Sequence, residues 1–320
     1  MPSITKTLGA VVAGLAAFAS AAPAAPKLTK GQMKIHEVLR RQNALAQAAG
    51  LTDIDILQFA LTLELLEEDF YRTGFQQFPA DQFIALGLTQ EQVNELVNIG
   101  KTEEAHVIAL QSAIAQAGTQ PVQACTYNFG FTDAASMVAT AAVLENVGVS
   151  AYAGAAKLLA DPGILTTAAT ILTIEARHQA VIRVASKVNP VPQAFDTPLS
   201  AKMVFSLAAP FISSCPSGSN LVLTAFPTLT MAAGQSATAI QAGATIQLQS
   251  DAAAQAQFCG FTTGGLPGGT AFTAFTPGTG CQVPQGLAGI TYVTLTSQGP
   301  LNGVISDDII LAGPMVMQAS

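Results

Sequence analysis

Three histidines are spread over 320 residues, and two of them stand three positions after a glutamate. These are Glu103-x-x-His106 in "NIGKTEEAHVIALQ" and Glu175-x-x-His178 in "LTIEARHQAVI". Glutamate fills only ten positions of the chain, so the repeated spacing asks for a chemical reason. On a helix, residues i and i+3 share a face about one turn apart, which lets a carboxylate and an imidazole grip one ion. A second regularity accompanies the first. Glu64 precedes Tyr71 by seven residues, and Glu145 precedes Tyr152 by seven. Seven residues make two helical turns, so each pair shares a face. The order Glu64…Tyr71, Glu103-x-x-His106, Glu145…Tyr152, Glu175-x-x-His178 is a pseudo-twofold internal repeat, more specific than either Glu-x-x-His alone.

Four glutamates buried without partners would each cost several kcal/mol. Two divalent ions would cancel four carboxylate charges and leave the imidazoles as neutral ligands. Two such ions roughly 3.5–4 Å apart can bind peroxide or dioxygen between them. Carboxylate and imidazole donors favour iron, manganese or zinc over soft copper sites. A solvated helix face is the plainer explanation of a single Glu-x-x-His, and the repeat weighs against it. Glu67, Glu68 and Glu104 read as exposed neighbours, although a shift of one helix face would bring Glu67 or Glu68 inward. His36 lacks a glutamate three residues earlier and sits among Lys34, Arg40 and Arg41, so it reads as surface or packing. Arg177 reads equally as a partner to a carboxylate or as a surface charge. Met137, Met203 and Met231 read as core fillers.

The elements that must position these groups are helices. "DIDILQFALTLELLEEDFYRTGF" repeats apolar residues at three- and four-residue spacing behind a Thr52/Asp53 cap. "TQEQVNELVNIGKTEEAHVIALQSAIAQAG" opens with Thr89 and Gln92 at capping-box spacing and closes at Gly118. "TDAASMVATAAVLENVGVSAYAGAAKLLADPG" runs from Thr132/Asp133 to the break at Pro162, and "ILTTAATILTIEARHQAVIRVASKVNP" stops before Pro190. An amphipathic stretch at 31–48 precedes them. Four long helices argue for a bundle over 53–189. "TQPVQACTYNFGF" leaves room for a crossover between the second and third.

Composition then changes. Every glutamate and histidine lies before residue 180, and no Lys or Arg follows Lys202. Pro190, Pro192 and Pro198 mark a linker over 190–202. Beyond it, "NLVLTAFPTLTM", "ATIQLQS", "GITYVTLTS" and "VISDDIILAGPMVM" are short β-branched runs between Gly, Pro and Ser. The expectation is a two-domain α plus β chain, a four-helix bundle followed by an antiparallel, immunoglobulin-like β-sandwich over 203–320. With no His, Glu, Lys or Arg beyond the joint, acid–base or metal chemistry is not expected there; scaffolding, adhesion or self-association is.

Residues 1–22 read as a secretory signal, with Lys6, the apolar "LGAVVAGLAAFASAA" and small residues for cleavage near Ala21 or Ala22; residues 23–52 form an N-terminal amphipathic linker. No segment reads as a membrane span. A formal charge of −7 without any basic run argues against nucleic acid as a partner. Cys125, Cys215, Cys259 and Cys281 imply two disulfides in an oxidising compartment. Three pairings are open; locality favours Cys259 with Cys281, leaving Cys125 with Cys215.

With its repeat of Glu and Glu-x-x-His, the chain resembles the ferritin-like superfamily, whose dimetal carboxylate bundles use this donor set. The resemblance implies that Glu64 and Glu145 are terminal ligands, that Glu103 and Glu175 bridge two metals, and that His106 and His178 each bind one. It places Tyr71 and Tyr152 in or near the shell behind the ligands, and iron or manganese as the two divalent ions. With the secretion signal, "LQFALTLELLEEDFY", "VLENVGVSAYAGAA" and the β-rich tail, the chain looks like secreted fungal ferritin-like proteins of the desiccation, stress-response and late-sexual-development type. Two functions then compete. One is an oxidoreductase of dimetal catalase, peroxidase or ferroxidase type. The other is a non-enzymatic extracellular or cell-wall protein, structural or stress-protective, working through its bundle surface and β-domain. A storage cage is a weaker third choice, because the β-domain would have to lie outside any shell.

Overall fold

The computed structural model describes residues 51–219, 223–238 and 240–319. The expected signal over 1–22, His36 and the stretch at 31–48 read as amphipathic lie outside these residues.

Helix α1 spans Asp53–Gln77, and its start is a reciprocal capping box in which Thr52 accepts from the Asp55 N–H and Asp55 accepts from the Thr52 N–H. A short helix α2 (Ala80–Ala85) follows Pro79, and α3 (Gln90–Gln116) opens on the Thr89/Gln92 box. Helix α4 (Ala134–Ala155) is capped by Asp133. Helix α5 (Pro162–Ala185) starts with proline where no backbone donor is needed, and Asp161 accepts from the Gly163 and Ile164 N–H groups. The buried face of α3 carries Val93, Leu96, Ile99, Glu103, His106, Val107, Leu110 and Ile114. Both halves of its Glu-x-x-His therefore lie on the core side, and the solvated-face explanation is set aside. The principal contacts pair α1 with α3 and α4 with α5, and α1–α4 and α3–α5 contacts close the bundle. The segment Ala134–Leu158 is long and apolar enough to cross a membrane, but most of it is buried in the bundle and it carries Glu145 near its middle.

From Ala201, within the stretch read as a linker over 190–202, the chain forms α6 (Ala201–Ala208), capped by Ser200 and packed on α4, where the sequence pattern suggested only linker and strands. Gly154 makes this approach possible: a Cβ there would overlap the Leu199 carbonyl oxygen.

Among the described residues, ten strands follow the helices or lie between them. They are β1 (Thr126–Tyr127), β2 (Ile212–Ser214), β3 (Thr230–Met231), β4 (Thr245–Ile246), β5 (Leu248–Gln249), β6 (Phe258–Thr262), β7 (Thr270–Ala274), β8 (Cys281–Gln282), β9 (Gly289–Thr296) and β10 (Ile310–Ala319). Antiparallel pairing arranges β10-β9-β6-β7 in one sheet and β1-β2, β3-β5 and β4-β8 in two-stranded ribbons. The sheets are antiparallel as expected. They are also small and unclosed, so the immunoglobulin-like sandwich of the sequence reading is not established by this topology.

Strand β9 is buried along its whole length. Because its side chains alternate, Ile290 and Tyr292 join the core with bundle residues such as Leu144, Val147 and Ile182, while Val293 and Leu295 join a second core with Phe261, Cys259 and Met317. The sheet is thus a shared wall, and bundle and sheet have a core in common. The disulfides are Cys125–Cys215, tying the crossover to the end of β2 across 90 residues, and Cys259–Cys281, spanning 22. This is the pairing favoured by locality.

The wall carries one polar bolt. The Tyr292 hydroxyl, wholly buried, donates to the Asn146 carbonyl at 3.1 Å, lies 2.9 Å from Ser150 Oγ and accepts from the Asn146 amide. Asn146 in turn accepts from Gln179 on α5. Asn146 and Gln179 adjoin Glu145 and His178 in sequence. Replacing Tyr292 by Phe leaves buried amide and hydroxyl groups unpaired, and should destabilise the fold by about 1–3 kcal/mol in urea unfolding. An unchanged midpoint would show that the bolt contributes nothing.

Candidate metal centre

The six residues singled out by spacing meet at one level of the bundle, and all six are buried. One donor atom each from Glu64, Glu103, His106 and Glu175 lies within 4.8 Å of the others, and the same holds for Glu103, Glu145, Glu175 and His178. The two groups share Glu103 and Glu175. His106 Nδ1 stands 3.1 Å from Glu103 Oε2, 3.2 Å from Glu64 Oε2 and 3.3 Å from Glu175 Oε1. His178 Nδ1 stands 2.8 Å from Glu103 Oε1 and 3.1 Å from Glu145 Oε2. The imidazoles stack with centroids 6.0 Å apart.

The tyrosines obey the repeat in an exchanged form. Tyr71 on α1 donates to Glu145 Oε1 on α4, and Tyr152 on α4 donates to Glu64 Oε1 on α1. Each helix's tyrosine fixes the other helix's glutamate. Burial first, and then the charge of the carboxylate each one meets, raises both phenols well above their ordinary range and keeps them as donors.

Three residues of the site escaped the sequence reading. Thr102 Oγ1 donates to the Ile99 carbonyl at 2.7 Å and lies 2.8 Å from His178 Nε2. The hydroxyl's own proton being spent on the carbonyl, Nε2 must be the donor, which turns Nδ1 toward the carboxylates. Nothing in the sequence marks Thr102. Glu67, placed among the exposed neighbours, is instead buried, with a relative exposure of 4%. It stands three positions after Glu64 on the same face, a spacing that would have flagged it; Glu68 is half-buried and Glu104 is exposed, as is Arg177. Gly148 is the third. A Cβ there would sit 2.5 Å from Glu175 Oε2 and 3.3 Å from Glu67 Oε1, so the glycine leaves room for both carboxylates.

The charges do not balance on protein groups alone. Burial pulls the His106 imidazolium down, but Glu103, Glu175 and Glu64 outweigh it and hold its pKa at about 12. For His178 burial is likewise outweighed by Glu103 and Glu145, giving about 9. Glu103, although buried, is drawn down to about 2 by the two neighbouring rings, His106 and His178. Burial pushes Glu64 up to about 7 against the pull of His106. Burial and the neighbouring Glu103 raise Glu145 and raise Glu175 further, well above the carboxylate range; Glu67 is raised as far by burial and the nearby Glu175. Five buried carboxylates face two imidazoles. Glu103 Oε1 and both oxygens of Glu175 accept no well-aligned hydrogen bond, although His178 Nδ1 and His106 Nδ1 lie near Glu103 Oε1 and Glu175 Oε1. Orphaned, buried oxygens shared by two compact donor groups are what a pair of hard or borderline cations would satisfy. The donor set fits the group, and the cluster is compatible with a metal site.

Residues 52–187 match the ferritin-like domain family. Over 178 residues the chain is 27% identical to Protein rds1 of Schizosaccharomyces pombe, a match covering 55% of this chain and 44% of that protein, less than half the relative's length. A solved structure of a conserved hypothetical protein from Mycobacterium tuberculosis matches 45% of this chain and 96% of its own at 18% identity, with a TM-score of 0.36, too low to bear on the fold.

Alanine normally stabilises a helix relative to glycine by about 1 kcal/mol. At Gly148 the sign should reverse: Gly148→Ala should lower the melting temperature of the purified chain, because the added methyl displaces Glu175. A melting temperature equal to or above the parent's would refute the crowding.

Proposed function

We propose that this chain, whose residues 52–187 match the ferritin-like domain family, is a secreted protein of the fungal stress-response type that holds two divalent ions, iron or manganese, in its bundle core. Glu64 and Glu145 serve as terminal ligands, Glu103 and Glu175 as bridges, and His106 and His178 as one imidazole ligand each. The single observation that supports it most is the pair of overlapping donor groups sharing Glu103 and Glu175, with three of these two residues' four carboxylate oxygens accepting no well-aligned hydrogen bond. When bound, such a pair supplies redox equivalents for peroxide or dioxygen, and the reaction class proposed is that of a dimetal catalase, peroxidase or ferroxidase.

The chain's own residues do the rest. Tyr71 and Tyr152 hold Glu145 and Glu64 in place, and Thr102 fixes the orientation and tautomer of the His178 ring. Leu61, Phe70 and Ile182 are fully buried on the same helices. The proposed organisation is a signal over 1–22, a linker over 23–52, the bundle over 53–189, a second linker over 190–202, and a β-region over 203–320 that meets cell-wall partners or further copies of the chain. Two disulfides suit that extracellular setting.

Elemental analysis of protein collected from its natural secretion route should give two ions per chain, and removing them with chelator should lower the melting temperature. His106→Ala or His178→Ala should weaken binding at least about tenfold, with Glu103→Ala or Glu175→Ala worse; His36→Ala, the control, should change neither. Loaded protein that turns over neither peroxide nor ferrous ion would favour the structural, stress-protective reading. Protein that takes up no ion from a defined iron or manganese solution would overturn the metal assignment itself.

A further inference from the structure

One end of the bundle is not filled by the described residues. A cavity of about 260 Å³ lies among all four long helices, lined by Ile56 and Leu63 of α1, Leu110 and Ala113 of α3, Tyr152 of α4 and Ile164 of α5, with other mostly apolar neighbours. The lining comes from the first half of α1, the second half of α3, the end of α4 and the start of α5, so the space runs along the bundle axis. Its α1 wall extends from Ile56 to Leu63, next to Glu64; at 1.5 Å per residue Ile56 and Glu64 are about 12 Å apart. The outer end lies at the start of α5, where Asp161, Gly163 and Thr167 are exposed.

The polar side chains in the lining are already engaged. Asp161 Oδ1 accepts from the Gly163 and Ile164 N–H groups, Thr167 Oγ1 donates to the Gly163 carbonyl, and the Tyr152 hydroxyl donates to Glu64. Water entering such a space finds few free partners, whereas apolar cavities of roughly 150 Å³ stay dry and take up benzene. We propose that this cavity is a binding site for one small apolar molecule, a single-ring aromatic or an alkyl chain of like volume, seated against Tyr152. The site is assigned by shape and by the prior engagement of its polar groups, so it does not depend on ions in the neighbouring cluster. Its occupant nevertheless rests on the tyrosine that bonds Glu64, which puts an apolar molecule within two residues' contact of the carboxylates.

The test is calorimetric titration of the full chain with toluene, first treated with chelator so that the result is independent of metal loading. Saturable one-to-one binding is expected, with a negative heat-capacity change and a higher melting temperature. Ala113→Phe should fill the cavity from α3 and lower toluene affinity at least tenfold with helical content unchanged. If that variant does not fold, Ala60→Leu fills the same space from α1 and decides the question. Absence of saturable binding by the parent chain up to the solubility limit of toluene overturns the proposal, as does parental affinity in the folded filled variant.

Discussion

The burial of five glutamates in the centre of a helical bundle is the constraint on which the rest of the structure depends. Carboxylates in such a place need positive charge or donors, and two imidazoles and two phenols supply only part of that need. The helices are accordingly organised around one level. Capping boxes fix where α1, α3 and α4 begin, heptad-like spacing fixes which faces turn inward, and Gly148 removes the side chain that would otherwise occupy the space of Glu175. The exchange of tyrosines between α1 and α4 means that neither helix pair completes its own half of the cluster. Assembly of the four helices and formation of the donor set are one event.

The β-region is part of this event. Strand β9 contributes Ile290 and Tyr292 to the core of the bundle and Val293 and Leu295 to the core on its other side. Through Asn146 and Gln179 the sheet reaches the residues next to Glu145 and His178. A strand with both faces buried couples the two halves mechanically, so a change in the sheet is felt within a residue of the proposed ligands.

The bundle and most of its donor set were legible because they rest on local rules. Glu103/His106 and Glu175/His178 share a helical face by spacing alone, and Thr89/Gln92 announces a helix start. Glu67 was ambiguous because Glu67 and Glu68 stand three and four positions after Glu64, and both spacings suit the same face; only the tertiary packing of α4 and α5 decides between them. Thr102 acts through a contact 76 residues away, which no local pattern encodes. In the β-region, "FCGFT" and "TAFTA" were missed because Thr and Gly blur the alternation of apolar and polar positions. Gly260 itself is required by close packing, since a Cβ there would lie 2.8 Å from Thr294 Oγ1. Helix α6 was hidden by its place after a proline-rich linker, where composition pointed to strands.

The disulfide between Cys125 and Cys215 encloses α4, α5 and α6 in a covalent ring, with Glu145, Glu175 and His178 inside it and Glu64, Glu103 and His106 outside. In the unfolded chain that ring shortens the path from Glu64, Glu103 and His106 to Glu175 and His178, and narrows the volume these can explore relative to one another. Their effective concentration for one another is thereby raised before any helix has formed. The bond thus keeps, through each excursion from the native state, a record of which residues are to meet again.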